Sequence, residues 1–128
     1  MKMKKIFIDT EVKKIVYSLK KYPGVMAIVL FGSSVTGKVK PLSDIDLAVI
    51  MKEHDKRLEA EIFGFSSPKI DVVNFHRLPL FIQFDVFKHG KPIFIRNKER
   101  FFEIQRNVLR EYLEMSYLYD KMTRSILT

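Results

Sequence analysis

The chain has 128 residues, 47% of them hydrophobic, and contains no cysteine. That length suits one domain with a real core, and the missing thiols exclude disulfides and thiolate metal sites. The formal charge of +8 comes mostly from residues 1–40, which hold nine Lys against two acids, and no segment reaches membrane-spanning length.

The N-terminus, Met1-Lys-Met-Lys-Lys-Ile-Phe-Ile8, starts like a signal peptide, but Asp9 and Glu11 interrupt it before an adequate apolar stretch forms. A helix is predicted from about Thr10 to Tyr22, stopped by Pro23-Gly24, with Lys13, Lys14, Lys20 and Lys21 on a solvated face. Aromatics are not interleaved with these lysines as a base-stacking platform requires, so direct nucleic-acid binding is not expected. Val25 to Phe31 is an unbroken apolar run that stops at Gly32-Ser33-Ser34, which reads as a buried strand emptying into a turn. Gly32 permits close backbone approach and unusual φ. Ser33 and Ser34 supply hydroxyls and N–H groups at the start of a short helix near 33–37, an arrangement that favours phosphate. Two serines after glycine serve equally as an ordinary N-cap, so this feature needs the acids that follow.

A strand over 45–51 comes next, and its leading end carries Asp44 and Asp46. Residues two apart in a strand share a face with Cα atoms roughly 6.6 Å apart, so both carboxylates can converge on cations. A helix is predicted near Asp55 to Phe63, then a strand over 69–75 in which Ile70 and Val72 share one face and Asp71 and Val73 the other. Asp71 among β-branched residues, in what reads as a central strand, is costly unless paired, hydrogen-bonded or bound to metal. Three acids on neighbouring strands repel one another, and divalent cations remove that repulsion; magnesium suits such oxygen ligands together with phosphates. A turn cap at Asp44, a lysine partner for Asp46 and a solvated edge for Asp71 explain each acid singly. The joint spacing with Gly32-Ser33 favours a catalytic site.

The remaining elements are a helix from Pro79 to His89, a short strand from Pro92 to Arg96 and a helix from Lys98 to about Asp120. In that last helix Phe101, Ile104, Val108, Tyr112 and Met115, widened by Phe102, Leu109 and Leu113, form a stripe expected to cover the domain's own sheet. Tyr117, Leu118 and Tyr119 beyond it are candidates for docking a partner. Arg106 and Arg110 are expected to pair with Glu103 and Glu114. His54, His76 and His89 lie in different elements without ligand spacing and read as structural or exposed, although His76-Arg77 follows the Asp71 strand closely enough to face substrate.

Gly32-Ser33, then Ser43-Asp44-Ile45-Asp46-Leu47-Ala48-Val49, then Asp71, resemble the signature of the DNA polymerase beta-like nucleotidyltransferase superfamily. Within it the chain is similar to the minimal nucleotidyltransferases, the MNT antitoxins paired with HEPN toxins. The likeness extends over nearly the whole chain, through Leu78-Pro79 opening a helix, the Gly90-Lys91-Pro92-Ile93-Phe94 turn and strand, and the long closing helix. One departure is the segment Ser34-Val35-Thr36-Gly37-Lys38, where many relatives place an arginine; phosphate contacts there are expected from Lys38 or Lys40, or are weaker.

The resemblance implies an α/β fold over residues 1–128, a small mixed sheet flanked by helices with the site at one edge and the helix over about 98–120 included. It implies AMP transfer from ATP to a tyrosine of a HEPN ribonuclease toxin in a cytoplasmic hetero-oligomer. Two magnesium ions are expected on Asp44, Asp46 and Asp71, with phosphate contacts from Gly32, Ser33, Ser34 and Lys38. Two other readings stand beside it: a small-molecule nucleotidyltransferase of the aminoglycoside-modifying kind, and a non-catalytic antitoxin that acts by binding.

Overall fold

The structure is a computed structural model that describes residues 2–32 and 45–127. Helix α1 spans Lys2–Leu19, starting well before Thr10 because residues 2–9 contain neither Pro nor Gly to stop a helix growing N-terminally. It ends where Tyr22 N–H turns back onto the Leu19 carbonyl at 3.1 Å, ahead of Pro23. Strands β1 (Val25–Phe31) and β2 (Ile45–Met51) coincide with the two apolar runs. Helix α2 (Lys56–Phe63) is capped by Asp55, whose carboxylate accepts the N–H groups of Arg57 and Leu58 at 3.0 and 3.1 Å. Strand β3 (Ile70–Asn74) follows, then a 3₁₀ turn (Phe75–Arg77), helix α3 (Leu80–His89), strand β4 (Lys91–Ile95) and helix α4 (Lys98–Leu127).

The four strands form one mixed sheet in the order β3-β2-β1-β4. β1 pairs antiparallel with β2 and with β4, whereas β3 lies parallel to β2, reached through α2 as a parallel pairing requires. β3 is therefore an edge strand, not the central strand that its β-branched run suggests. Its outer edge is closed locally. Ser67 N–H donates to the Ile70 carbonyl at 2.8 Å, and Val72 N–H donates to Ser66 Oγ at 2.9 Å, so a short segment before the strand takes up its outward groups.

Helices cover both faces, which is why β1 and β2 read as continuous hydrophobic runs instead of alternating ones. On one face Val12, Val16 and Leu19 of α1 and Leu58 and Ile62 of α2 pack against Ile28, Leu47, Val49, Ile70 and Val72. On the other, Phe75, Val86 of α3, and Phe101 and Val108 of α4 pack against Ala27, Val29, Phe31, Ala48 and Ile50. Arg96, just past β4, fastens that strand to the turn between α1 and β1: its Nε donates to Val25 O at 2.9 Å and its Nη2 to Tyr22 O at 3.1 Å.

The closing helix departs from expectation in length and in cover. It has 30 residues and runs past Asp120 to Leu127. Phe101 and Val108 are buried and Tyr112 stacks on Phe84 with ring centroids 3.9 Å apart, but Phe102, Leu109, Leu113 and Met115 are exposed. For Leu113 and Met115 the reason is geometric, since α3 is only ten residues long and supports no more than the first half of its neighbour, whereas Phe102 and Leu109 flank the buried stripe of Phe101 and Val108. Arg100, not Arg106, bonds Glu103 at 2.9 Å, and Arg110 donates to Asn107 at 3.0 Å.

Candidate active site

β1 ends at Phe31, and the chain turns at Gly32 with φ +92°. This left-handed backbone suits glycine, and a Cβ at that position would collide with the Asp46 carboxylate. The close approach follows from register: Phe31 sits opposite Asp46 on the antiparallel neighbour. Asp46 is the second residue of β2 and the one buried charged side chain among the described residues, with 1% exposure.

On the parallel side Asp46 pairs in register with Asp71, the second residue of β3. Ile45 and Leu47 point into the α1/α2 layer, as do Ile70 and Val72, so alternation turns both carboxylates to the opposite face. Their Cα atoms are therefore neighbours across a parallel ladder, about 4.8 Å apart. Two acids so placed next to a side-chain-free turn form an oxygen-only donor set that suits a hard cation and the phosphates it accompanies. Asp44, Ser33, Ser34 and Lys38, the other expected site residues, lie outside the described residues. Among those described, no group of three or more His, Cys, Asp and Glu side chains could hold a metal ion.

Just past Asp71 lies a network that sequence reasoning missed. Arg77 grips Glu59 with two bonds, Nε to Oε2 at 2.9 Å and Nη2 to Oε1 at 3.1 Å, and Asn74 Nδ2 also donates to Glu59. The Arg77 bonds, and then the Asn74 bond, lower the Glu59 pKa to about 2. Arg77 is thus tied to α2. His76 is structural too: its Nε2 accepts Met51 N–H at 3.0 Å at the end of β2. Removal of the ring from solvent there lowers its pKa, against the opposing pull of the Met51 carbonyl 3.2 Å from the same nitrogen, and the Arg100 charge lowers it further. His89 pairs with Asp85 at 2.8 Å, four residues back on α3.

Relatives of known identity share this frame. A protein adenylyltransferase, MntA, from Aphanizomenon flos-aquae is 30% identical over 112 residues, which span 76% of this chain and 75% of that protein. The solved MntA–HepT toxin–antitoxin structure superposes with a TM-score of 0.67 at 17% identity, covering 94% of this chain and 99% of the matched one. A structure of a tri-AMPylated Shewanella oneidensis HEPN toxin in complex with MNT antitoxin gives a TM-score of 0.64 at 17% identity, covering 93% and 95%. Residues 13–99 match the family described as polymerase beta, nucleotidyltransferase. That span takes in all four strands and both in-register carboxylates, and the chain belongs to the polymerase beta nucleotidyltransferase family.

Proposed function

We propose that this nucleotidyltransferase is an antitoxin that transfers AMP from ATP to a tyrosine of a cognate HEPN ribonuclease toxin in the cytoplasm and so silences it. The observation that carries the chemistry is the buried Asp46 in register with Asp71 beside the Gly32 turn. The choice of a protein acceptor is supported by the likeness to MntA over most of both chains. Among the described residues no helix is long and apolar enough to cross a membrane.

In the proposed reaction the tyrosine oxygen attacks the α-phosphorus of ATP, the bond from that phosphorus to the bridging oxygen breaks, and pyrophosphate leaves. Asp71, at the more open edge strand, takes up the phenolic proton. Gly32 lets the chain turn directly against the Asp46 carboxylate with no side chain in between, and the Ser33 and Ser34 N–H and hydroxyl groups, with Lys38, orient the phosphates. Asp44, Asp46 and Asp71 are the residues that would hold two magnesium ions, which when bound neutralise the charge building on the phosphates.

Incubation with ATP, magnesium and a HEPN toxin, the product of the adjacent gene where that gene encodes one, tests the reading. Intact mass of that product is expected to rise by AMP increments. Asp46→Asn should lower the rate by at least roughly a thousandfold with an unchanged far-UV circular dichroism spectrum. An acceptor that gains no mass, or a fully active Asp46→Asn chain, defeats the proposal.

A further inference from the structure

At the end of the sheet away from Gly32 and Asp46, where β1 begins and β2 and β4 end, lies a cavity of about 670 Å³. Lys52 follows the last residue of β2, Arg96 follows β4, and Lys98, Glu99 and Arg100 open α4; all five line the cavity. β1 has seven residues, so this end is roughly 20 Å along the sheet from the Gly32 turn. The charge gathered here is little offset. Arg96 is held by carbonyls, its Nε donating to Val25 O at 2.9 Å and its Nη2 to Lys20 O at 2.6 Å and Tyr22 O at 3.1 Å. Those acceptors are neutral, so the guanidinium is positioned without being neutralised. Lys52 and Lys98 have no ion pair among the described residues, and Glu99 is the one acid in the lining. Arg100 pairs with Glu103 at 2.9 Å, but both side chains are exposed, where such a pair is weak.

We propose that this cavity binds a compact phosphate polyanion, of the class of pyrophosphate or the polyphosphate tail of a nucleotide, at a site separate from the candidate active site. Three segments distant in sequence bring cations to one concavity, and like charges so gathered are stabilised when an anion joins them. The lining also selects the anion. Lys52, Arg96 and Lys98 lack a carboxylate partner, whereas one carboxylate would bring a single charge and one phosphate ester about 1.5–2 at pH 7, so two or more phosphoryl groups make the better match. No aromatic ring lines the cavity among the described residues, so a base has nothing to stack on. Backbone donors add to the cations. Asn97 takes the Arg100 N–H on its Oδ1 and the Phe101 N–H on its carbonyl, each at 3.0 Å, which leaves the Lys98 and Glu99 N–H groups at the cavity for oxyanions. With a single acid present, the site takes its anion without a divalent cation, unlike the carboxylates at the other end of the sheet.

Amide NMR of the full chain in EDTA reads the binding residue by residue. Pyrophosphate and tripolyphosphate are expected to shift the amides of Lys52 and of residues 97–100. Lys52→Gln combined with Lys98→Gln, both at exposed positions outside the candidate active site, should weaken that binding about tenfold or more, and Glu99→Gln should tighten it. ATP should bind there no more tightly than tripolyphosphate, and acetate at matched ionic strength should leave these amides in place. Shifts confined to the surroundings of Gly32 and Asp46, an unchanged affinity in the double variant, or acetate reproducing the pyrophosphate shifts would each overturn the inference. A marked preference for ATP, or an RNA oligonucleotide occupying the site at about a hundredfold lower concentration, overturns it as well, by assigning the cavity to a nucleoside or to a nucleic-acid backbone.

Discussion

At the residue scale the site is governed by what cannot be accommodated at position 32. Gly32→Ala forces a φ of +92° on a residue with a Cβ and drives that carbon into the Asp46 carboxylate. The backbone part alone costs about 1–2 kcal/mol, so urea unfolding should show a loss of at least that size, and the transfer rate should fall by about tenfold or more as Asp46 is displaced. Glu59 gives a pH signature of the contact between α2 and the end of β3. Its folded pKa of about 2 lies below the ordinary 4.5, so the stability from its bonds is fully present above pH 4.5 and is lost as pH falls through 2. Thermal unfolding between those limits should fall more steeply for the wild type than for Arg77→Met, and added salt should shrink the difference because Arg77 is exposed. Asp46 and Asp71 were readable in the sequence, since period-2 alternation assigns each a strand face. The Glu59–Arg77 pair was not, because the two residues are 18 apart on different elements and no local period links them.

At the scale of elements, boundaries followed local chemistry wherever that chemistry was strong. Asp55 starts α2, and Phe31, Ile45 and Met51 bound their strands as the apolar runs indicate. Helix α4 shows where such reasoning stops. Its periodic stripe passes without interruption from Phe101 and Val108 through Tyr112 to Met115, Tyr119, Met122 and Ile126, yet the members after Tyr112 are exposed. Period reports which face is apolar, not whether anything lies against it. A helix segment of this length without tertiary support is marginal in water. Amides of residues 113–127 in the isolated chain should therefore exchange roughly a hundredfold faster than those of 101–112, as read by hydrogen-exchange mass spectrometry. Equal protection along the whole helix would contradict this account.

For the whole molecule, the sheet is the shared wall of two cores, and β1 contributes to both through Ile28 on one face and Val29 on the other. We propose that the shared sheet makes the chain unfold as one domain, in one cooperative transition. Ile28→Ala, at a fully buried site, should lower its stability by about 2–5 kcal/mol in urea without splitting it, whereas two separated transitions would show that the faces unfold independently. By itself the sequence determined the strands, the helix near Asp55 to Phe63, the α/β class and the face on which each of Asp46 and Asp71 lies, because these depend on near neighbours and on local period. Only the tertiary structure decided that β3 is an edge strand, that Asp46 and Asp71 fall in register, that Gly32 meets Asp46, and that Lys52, Arg96 and Lys98 line one cavity. Strand order and register come from hydrogen bonds and packing between distant segments, which alternation along one segment does not encode.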